Sequence, residues 1–559
     1  MKNMTLFPTA RLRTPALIAA GILISLAIFG RQAAAIEHWA GSSDFAGFTA
    51  LVELQLEMVD GQPRPRSISI FGTAPLHYEF PLTQNQEVQA VPADGSQLGF
   101  AFRLRGREYT FEGRRLGDVI SGLVGGTALN FYRLESAAAA GGPVFELTGI
   151  YEGASLSGGK SSEIIVTPRE FGGLRAVNLG SGENMTLLRA GSRKFFTWQE
   201  LGRSPSPRIN IRFPRDMRGE IVAMVHLTGD GKTRVYQKTG GITQKAVKFR
   251  GPAGMLAGTL LTPPLAGPRP GLVLVHGSGP IYRSALLDRA VFLAKSGLSV
   301  LIYDKRGTGA SAGDWRSASF HDLALDALAA LERLEAEPGV DGARTGLQGH
   351  SQAGYIIPIA ATLSEKIDFA IIVNGGSVRP DRQSLFDKAN DLKRAGYGAG
   401  DQKRAIDLLE RVFLYVVDKT GDPDALERDF LAAQKEPWFG ALDLPRMPAL
   451  PRWESDPEPL EAFRRELAFD PIGYQRQMYI PVLVILGGRD QTMPAELAAE
   501  GWRSSMALAG NDDFTLRLIP EAGHGMRSLV GGKAVGPLLP AYKSAHRDWL
   551  ARRLGMVPR

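Results

Sequence analysis

The hydrophobic pattern of this chain changes period near residue 241, and that change constrains the fold more than any other feature. From residue 48 to residue 236 apolar and polar residues alternate. Val52, Leu54, Leu56 and Met58 fall on one side of an extended segment and Glu53, Gln55 and Glu57 on the other, and Phe100, Phe102 and Leu104 repeat the design. Successive side chains of a strand point to opposite faces. Such strands bury one face only and must close around a shared core as antiparallel barrels or sandwiches. After residue 241, almost continuous apolar runs at 272–275, 298–303, 370–373, 482–486 and 515–519 alternate with helical stretches. One of these, 320–334, carries Leu323, Ala327, Leu331 and Leu334 on a single stripe. Apolar runs of this kind suit strands covered on both faces, which predicts a mostly parallel sheet with crossover helices. Between 373 and 482 the alternation is interrupted by helical, charged and Pro-containing sequence, including an amphipathic stretch at 404–417. That insertion reads as a lid over the strand ends.

A chain of 559 residues exceeds what one core supports. The pattern divides it into a β module at 36–135, a second at 144–240, and an α/β body at 246–559 with the lid at about 380–470. The low-complexity stretch from Ser136 to Pro143 reads as a linker between the two β modules. The first 35 residues have the form of an export signal. Lys2, Arg11 and Arg13 precede an apolar run over 15–30, and Ala33-Ala34-Ala35 supplies small residues for cleavage. The run is shorter than the ~20 residues that span a bilayer. Retention as a membrane anchor is the alternative, since Arg31 interrupts the approach to the cleavage site. The expected location is periplasmic or secreted.

The formal charge of +7 falls to +3 without the four cations of the leading segment, and no basic run occurs, so charge makes no case for nucleic acid. The chain has no cysteine, which excludes disulfides, thiolate metal sites and cysteine nucleophiles. The eight histidines are scattered, with no H-x-x-x-H or H-E-x-x-H spacing, and no metal or other cofactor is expected. Gly122 to Gly126 lacks the lysine and the strand-to-helix context of a phosphate loop.

The strongest local signal is Gly349-His350-Ser351-Gln352-Ala353-Gly354, where a short strand ends at a tight turn and an Ala- and Ile-rich helix follows. This is the pattern of a nucleophile elbow, in which small neighbours let a serine take a strained backbone over the sheet. Alone it is weak. Glycine is about one residue in nine, and G-x-S also occurs at 153–155, 309–311 and 375–377. The spelling also departs from G-x-S-x-G, with Ala353 in the last position and glycine one place later.

Other features agree in chain order. His276-Gly277-Ser278-Gly279-Pro280 follows a buried strand, where flexible backbone at Gly277 and Ser278 can aim N–H groups at a developing oxyanion. The N–H of Gln352 is the second donor. Downstream, Gly487-Gly488-Arg489-Asp490 puts an acid after a late strand, and Glu521-Ala522-Gly523-His524-Gly525 puts a histidine after the final one. Serine, acid and histidine in that order give the candidate triad Ser351, Asp490 and His524. A serine hydroxyl is a poor nucleophile near neutral pH, so His524 must take its proton, with Asp490 orienting the imidazole. Taken singly, Asp490 reads equally well as a helix N-cap and His524 as a loop histidine bonded to backbone. His350 is expected to point away from the serine.

Residues from about 246 to 554 resemble an α/β-hydrolase of the serine aminopeptidase-like and carboxylesterase-like group. Asp304-Lys305-Arg306-Gly307-Thr308-Gly309-Ala310-Ser311 is similar to the D-x-R-G-x-G-x-S segment of such enzymes, with Asp304 and Arg306 structural. His276 to Pro280 with Arg283 is similar to the H-G-S-G-P-x-x-R spelling of a bacterial esterase subgroup. Leu147-Thr148-Gly149-Ile150-Tyr151-Glu152-Gly153 gives the β modules a weaker resemblance to the lipocalin-like barrels that precede some exported hydrolases. The resemblance implies hydrolysis of an acyl bond in a small-molecule substrate through an acyl-serine intermediate, without a cofactor. A carboxylic ester comes first among the substrates. The alternatives are a peptidase acting on short peptides and a non-catalytic envelope-binding protein. Trp438, Phe439 and Trp453 are lid aromatics that either line an acyl pocket or, the simpler reading, pack the lid core. Arg283 either orients a substrate carboxylate or forms a structural ion pair, the simpler reading again.

Overall fold

The computed structural model describes residues 36–555 apart from residues 46–47, 60–61, 74–78, 92–96, 105–106, 135–143, 154–161, 170–172, 199–207 and 443–456. The leading segment, the expected linker and Trp453 therefore lie outside the described residues. Two antiparallel β bodies precede an α/β body with helical insertions, the fold class read from the periodicity.

The first body is a nine-stranded antiparallel sheet between Ile36 and Leu134. Its inner face gathers Val52, Leu54, Leu56, Phe100, Phe102 and Leu104, which the pattern placed on one side, together with Phe111 and Phe131, while Met58 is only partly buried. Its first strand, Ile36–Phe45, escapes a pattern search because Gly41-Ser42-Ser43 breaks the alternation. Glycine is required there: a Cβ on Gly41 would lie 2.4 Å from the carbonyl oxygen of Asn130 on the neighbouring strand.

The second body is a closed barrel of eight strands between Gly149 and Thr239. Ile164 and Val166 point into its core while Ile165 points out onto the α/β body. Two-sided burial explains why this strand reads as a continuous apolar run. Asn184–Gly191 has the same character, with Leu187 inward and Leu188 packed against Phe71 and Tyr132 of the first body. Arg169 of the barrel pairs with Glu53 of the first sheet at 2.5 Å and lies over the Phe71 ring.

The third body holds an eight-stranded sheet, whose strands are numbered here by themselves. They are β1 (Thr243–Gly251), β2 (Gly254–Thr262), β3 (Arg269–Val275), β4 (Ser299–Tyr303), β5 (Val340–His350), β6 (Phe369–Val373), β7 (Val482–Gly487) and β8 (Phe514–Ile519). Their spatial order is β1-β2-β4-β3-β5-β6-β7-β8; β1 and β2 are antiparallel to their neighbours and the rest run parallel. Along β7, Val482, Val484 and Leu486 face one layer and Leu483 and Ile485 the other. The first layer contains α2 (Phe320–Glu335), α3 (Ala353–Leu363) and α9 (Ala495–Ala509); the second contains α1 (Leu287–Lys295) and α10 (Pro540–Leu554). Helix α2 starts at a capping box, with Ser319 and Asp322 bonding each other's backbone N–H.

The lid comprises α4 (Pro380–Arg394), α5 (Ala399–Asp418), α6 (Pro423–Ala433) and α7 (Pro457–Leu467), followed by the single turn α8 (Ile472–Gln475). Leu409, Val412, Phe430 and Trp438 form its own core, so Trp438 is a packing residue there, with the Phe439 ring 6.3 Å away and tilted by 47° to it.

The barrel meets the α/β body through Ile150, Ile165 and Val177, which join the α1 and α10 layer. A cavity of about 480 Å³ at this junction is lined by Glu152, Glu163, Arg269, Lys295 and Arg344. Arg269 opens β3, so the junction lies at the amino ends of the parallel strands.

Candidate active site

The parallel strands β5 to β8 deliver the predicted residues to one edge. At the end of β5 the chain turns at Ser351 with φ +59°, left-handed backbone that costs a non-glycine residue about 1–3 kcal/mol. The surrounding contacts impose it. The Ser351 N–H donates to the carbonyl of Val373 at 2.9 Å. A Cβ on Gly349 would lie 2.3 Å from the Ala353 Cβ, and one on Gly354 would lie 2.3 Å from the backbone of Gly375 and Gly376. The departure from G-x-S-x-G is thereby explained: the Ala353 methyl fills the space that Gly349 leaves, and the close approach falls on Gly354.

The acid loop leaves β7 at Gly487-Gly488, where added Cβ atoms would meet the carbonyl oxygens of Ala522 and Pro520 at 2.5 and 2.8 Å. The two glycines let the acid loop lie against the histidine loop. The Asp490 side chain is fully buried. Its Oδ1 accepts the N–H groups of Thr492 at 2.8 Å and Met493 at 2.9 Å, and its Oδ2 accepts His524 Nδ1–H at 2.7 Å. The proton is thus held on Nδ1 and the lone pair left on Nε2, the arrangement a base needs. The N-cap of α9 is Pro494, so Asp490 caps a turn rather than that helix.

Asp490 and His524 are in direct contact. Ser351 adjoins His350, whose ring centroid lies 4.5 Å from that of His524. Among the described residues, no hydrogen bond joins Ser351 Oγ and His524, whose Nδ1 bonds Asp490 and whose carbonyl bonds His350.

Sequence reasoning missed the device that holds the histidine loop. Burial pushes His350 well below the ordinary imidazole value, with His524 and Arg289 adding to the effect, so its ring is neutral. Its Nε2–H donates to the backbone carbonyl of His524 at 2.6 Å. Asn374, fully buried at the end of β6 with φ +47°, donates Nδ2–H to the same carbonyl at 2.7 Å and accepts the Gly487 N–H on Oδ1 at 2.7 Å. One amide therefore joins the acid and histidine loops. Asn374-Gly375-Gly376 directly after a buried strand was the available signal.

The glycine loop after β3 lies against the elbow. A Cβ on Gly277 would sit 3.5 Å from Ser351 Cβ and 3.3 Å from the His350 carbonyl oxygen. His276 is pushed down to about 3 by burial and contacts the Tyr303 carbonyl at 2.5 Å, tying the ends of β3 and β4 together. Among the described residues the N–H groups of Ser278 and Gln352 have no protein acceptor. Two unspent donors flanking a serine are what a developing oxyanion requires.

Asp304 accepts the Arg283 N–H at 3.1 Å and approaches its guanidinium at 3.7 Å, while Arg306 bonds Asp326 at 2.6 Å and the Asp322 carbonyl at 2.7 Å. Arg283 is thus engaged in a structural pair. The lid grips the acid loop: Gln383 donates to the Thr492 carbonyl at 2.8 Å, and Asn390 and Arg394 bond the carbonyl and side chain of Gln491 at 3.0 and 2.9 Å.

Residues 272–530 match the family model described as alpha/beta hydrolase family. This part of the chain is an α/β-hydrolase domain. Among curated proteins, the chain is 25% identical over 353 residues to "Esterase EstD" of Thermotoga maritima, covering 59% of this chain and 74% of that one. It is 28% identical over 148 residues to "Thiohydrolase aneE" of Aspergillus aculeatus, covering 26% and 44%. Among solved structures, a Pyrococcus furiosus esterase matches with TM-score 0.37 at 17% identity over 56% of this chain and 91% of that one. Pyrococcus horikoshii acylaminoacyl peptidase matches with TM-score 0.36 at 14% identity over 87% and 67%. Among the described residues, no helix is long and apolar enough to cross a membrane.

Proposed function

We propose that this α/β-hydrolase is an exported serine hydrolase that cleaves a carboxylic ester through an acyl-serine intermediate on Ser351. The observation that carries the reading is the Asp490–His524 bond at 2.7 Å beside a serine held at φ +59°. His524 Nε2 removes the Ser351 proton as Oγ attacks the acyl carbon. The oxyanion that forms meets the N–H groups of Ser278 and Gln352, and His524 returns the proton to the departing alkoxide. Water then attacks the acyl-enzyme with His524 again as base, releasing the acid and restoring the serine. Asp490, buried and already accepting two backbone N–H groups, stabilises the imidazolium without taking its proton. The preference for an ester over an amide is supported by the likeness to the Thermotoga esterase. Export is supported by the leading segment of the sequence alone.

A fluorophosphonate probe tests this reading on the full chain. Covalent labelling at Ser351, abolished in Ser351→Ala, is the expected result; an inert serine overturns it in favour of a binding role. Comparing acyl p-nitrophenyl esters with aminoacyl anilides decides between esterase and peptidase.

A further inference from the structure

The site contains a buried cation to which the chemistry above gives no role. Lys305, in the loop after β4, is 1% exposed. Its ammonium donates to the Gly277 carbonyl at 2.8 Å and to Gln352 Oε1 at 3.0 Å. These are the two arms of the glycine loop and the elbow that bring their free N–H groups to the serine. Burying an ammonium costs several kcal/mol unless its hydrogen bonds are made, so a lysine at this position needs a reason.

We propose that Lys305 is the positioning residue of the oxyanion hole, setting both arms at once; this rests on the Ser351 reading. In a planar trans peptide the C=O and the following N–H point in opposite directions. By drawing the Gly277 carbonyl inward, Lys305 turns the Ser278 N–H the other way, and that N–H has no protein acceptor among the described residues. An ammonium on a carbonyl also polarises its amide and strengthens the N–H of the same peptide unit as a donor. The second bond anchors the Gln352 side chain, so the residue whose backbone N–H opens α3 cannot rotate away. Gln352 in turn reaches Glu466 of lid helix α7 at 3.5 Å. The Lys305 backbone adds a third tie, donating its own N–H to the Ile281 carbonyl at 3.1 Å, so the loop after β4 holds the glycine loop at two points. The Trp315 ring lies 5.9 Å from the ammonium and contributes to its burial.

The test uses the full chain, a p-nitrophenyl butyrate assay and an alkyl trifluoromethyl ketone, which becomes a hemiketal oxyanion only when serine attacks it. Losing a support of the hole removes transition-state binding on the scale of one oxyanion donor, ~10²-fold. Lys305→Met is expected to lower kcat by about that factor with KM within about threefold, and to weaken the ketone in parallel. Gln352→Ala, which keeps the backbone N–H, is expected to cost less, and the double variant to lose less than the product of the two effects. Should Lys305→Met not fold, Gln352→Glu carries the test: its carboxylate draws the ammonium from Gly277, and kcat is expected to fall with KM held. An unchanged kcat, or a fall in kcat that the ketone affinity does not follow, overturns the role of Lys305 while Ser351 labelling still stands. Failure of the wild-type protein to label removes the parent reading itself.

Discussion

Asn374→Ala probes whether one buried amide holds two catalytic loops together. The change deletes the Nδ2–H bond to the His524 carbonyl and the Oδ1 bond from the Gly487 N–H, both 2.7 Å. Each neutral bond is worth about 1 kcal/mol net, and the stranded, buried Gly487 N–H costs a further 1–3 or so. Alanine at φ +47° adds about 1 kcal/mol of left-handed strain that asparagine tolerates better. The His524 carbonyl keeps its His350 partner. The sum is a loss of about 4–6 kcal/mol, read as a lower urea midpoint with unchanged slope. Asn374→Gly removes the side chain without the strain, so it should be the more stable variant by about 1 kcal/mol. In the ester assay both should lose 10- to 100-fold or so in kcat, since the imidazole is no longer fixed against Asp490 and Ser351. Both variants within about 1 kcal/mol of the parent, with full turnover, would refute the reasoning.

Ser351→Ala should abolish ester hydrolysis and probe labelling and leave the melting temperature within a few degrees; a collapse of stability would make the serine structural. Gly354→Ala puts a methyl 2.3 Å from the Gly375 and Gly376 backbone and should displace the elbow, seen as lost activity in a folded protein, whereas full activity would mean that contact yields. Glu53→Ala removes the carboxylate that pairs at 2.5 Å with the buried Arg169 side chain and should destabilise the protein, with calorimetry showing the first sheet unfolding earlier. Burial pushes His276 down to about 3 and His546 to about 4, below the ~6.5 of an unfolded imidazole. Their stability contribution is complete above that value and is lost as the pH falls toward 4 and then 3, on the order of 3 kcal/mol or more each. A urea midpoint that stays flat between pH 7 and 4.5 contradicts this.

Legibility followed the number of covered faces. The parallel strands were visible because both sides of β7 are packed, and Leu54 and Phe100 because only one side of their sheet is. Ile36–Phe45 was invisible because Gly41-Ser42-Ser43 interrupts its alternation, although Trp39 and Ala40 are buried. Ser351, Asp490 and His524 stood out as reactive types in a fixed chain order. Asn374 and Lys305 did not: each acts by bonding main-chain atoms far away in sequence, which no residue spacing encodes. Trp438 shows the converse, an aromatic in lid sequence that serves the lid's own core.

The barrel is mounted beneath the sheet, beside Arg269 and against α1 and α10, whereas the reactive side chains crown the opposite rim. The barrel junction and the proposed chemistry thereby fall at separate poles of one body. Loops at the crown can lengthen, exchange or acquire new helices without loosening the mounting, and the mounted bodies can diversify without retuning the chemistry.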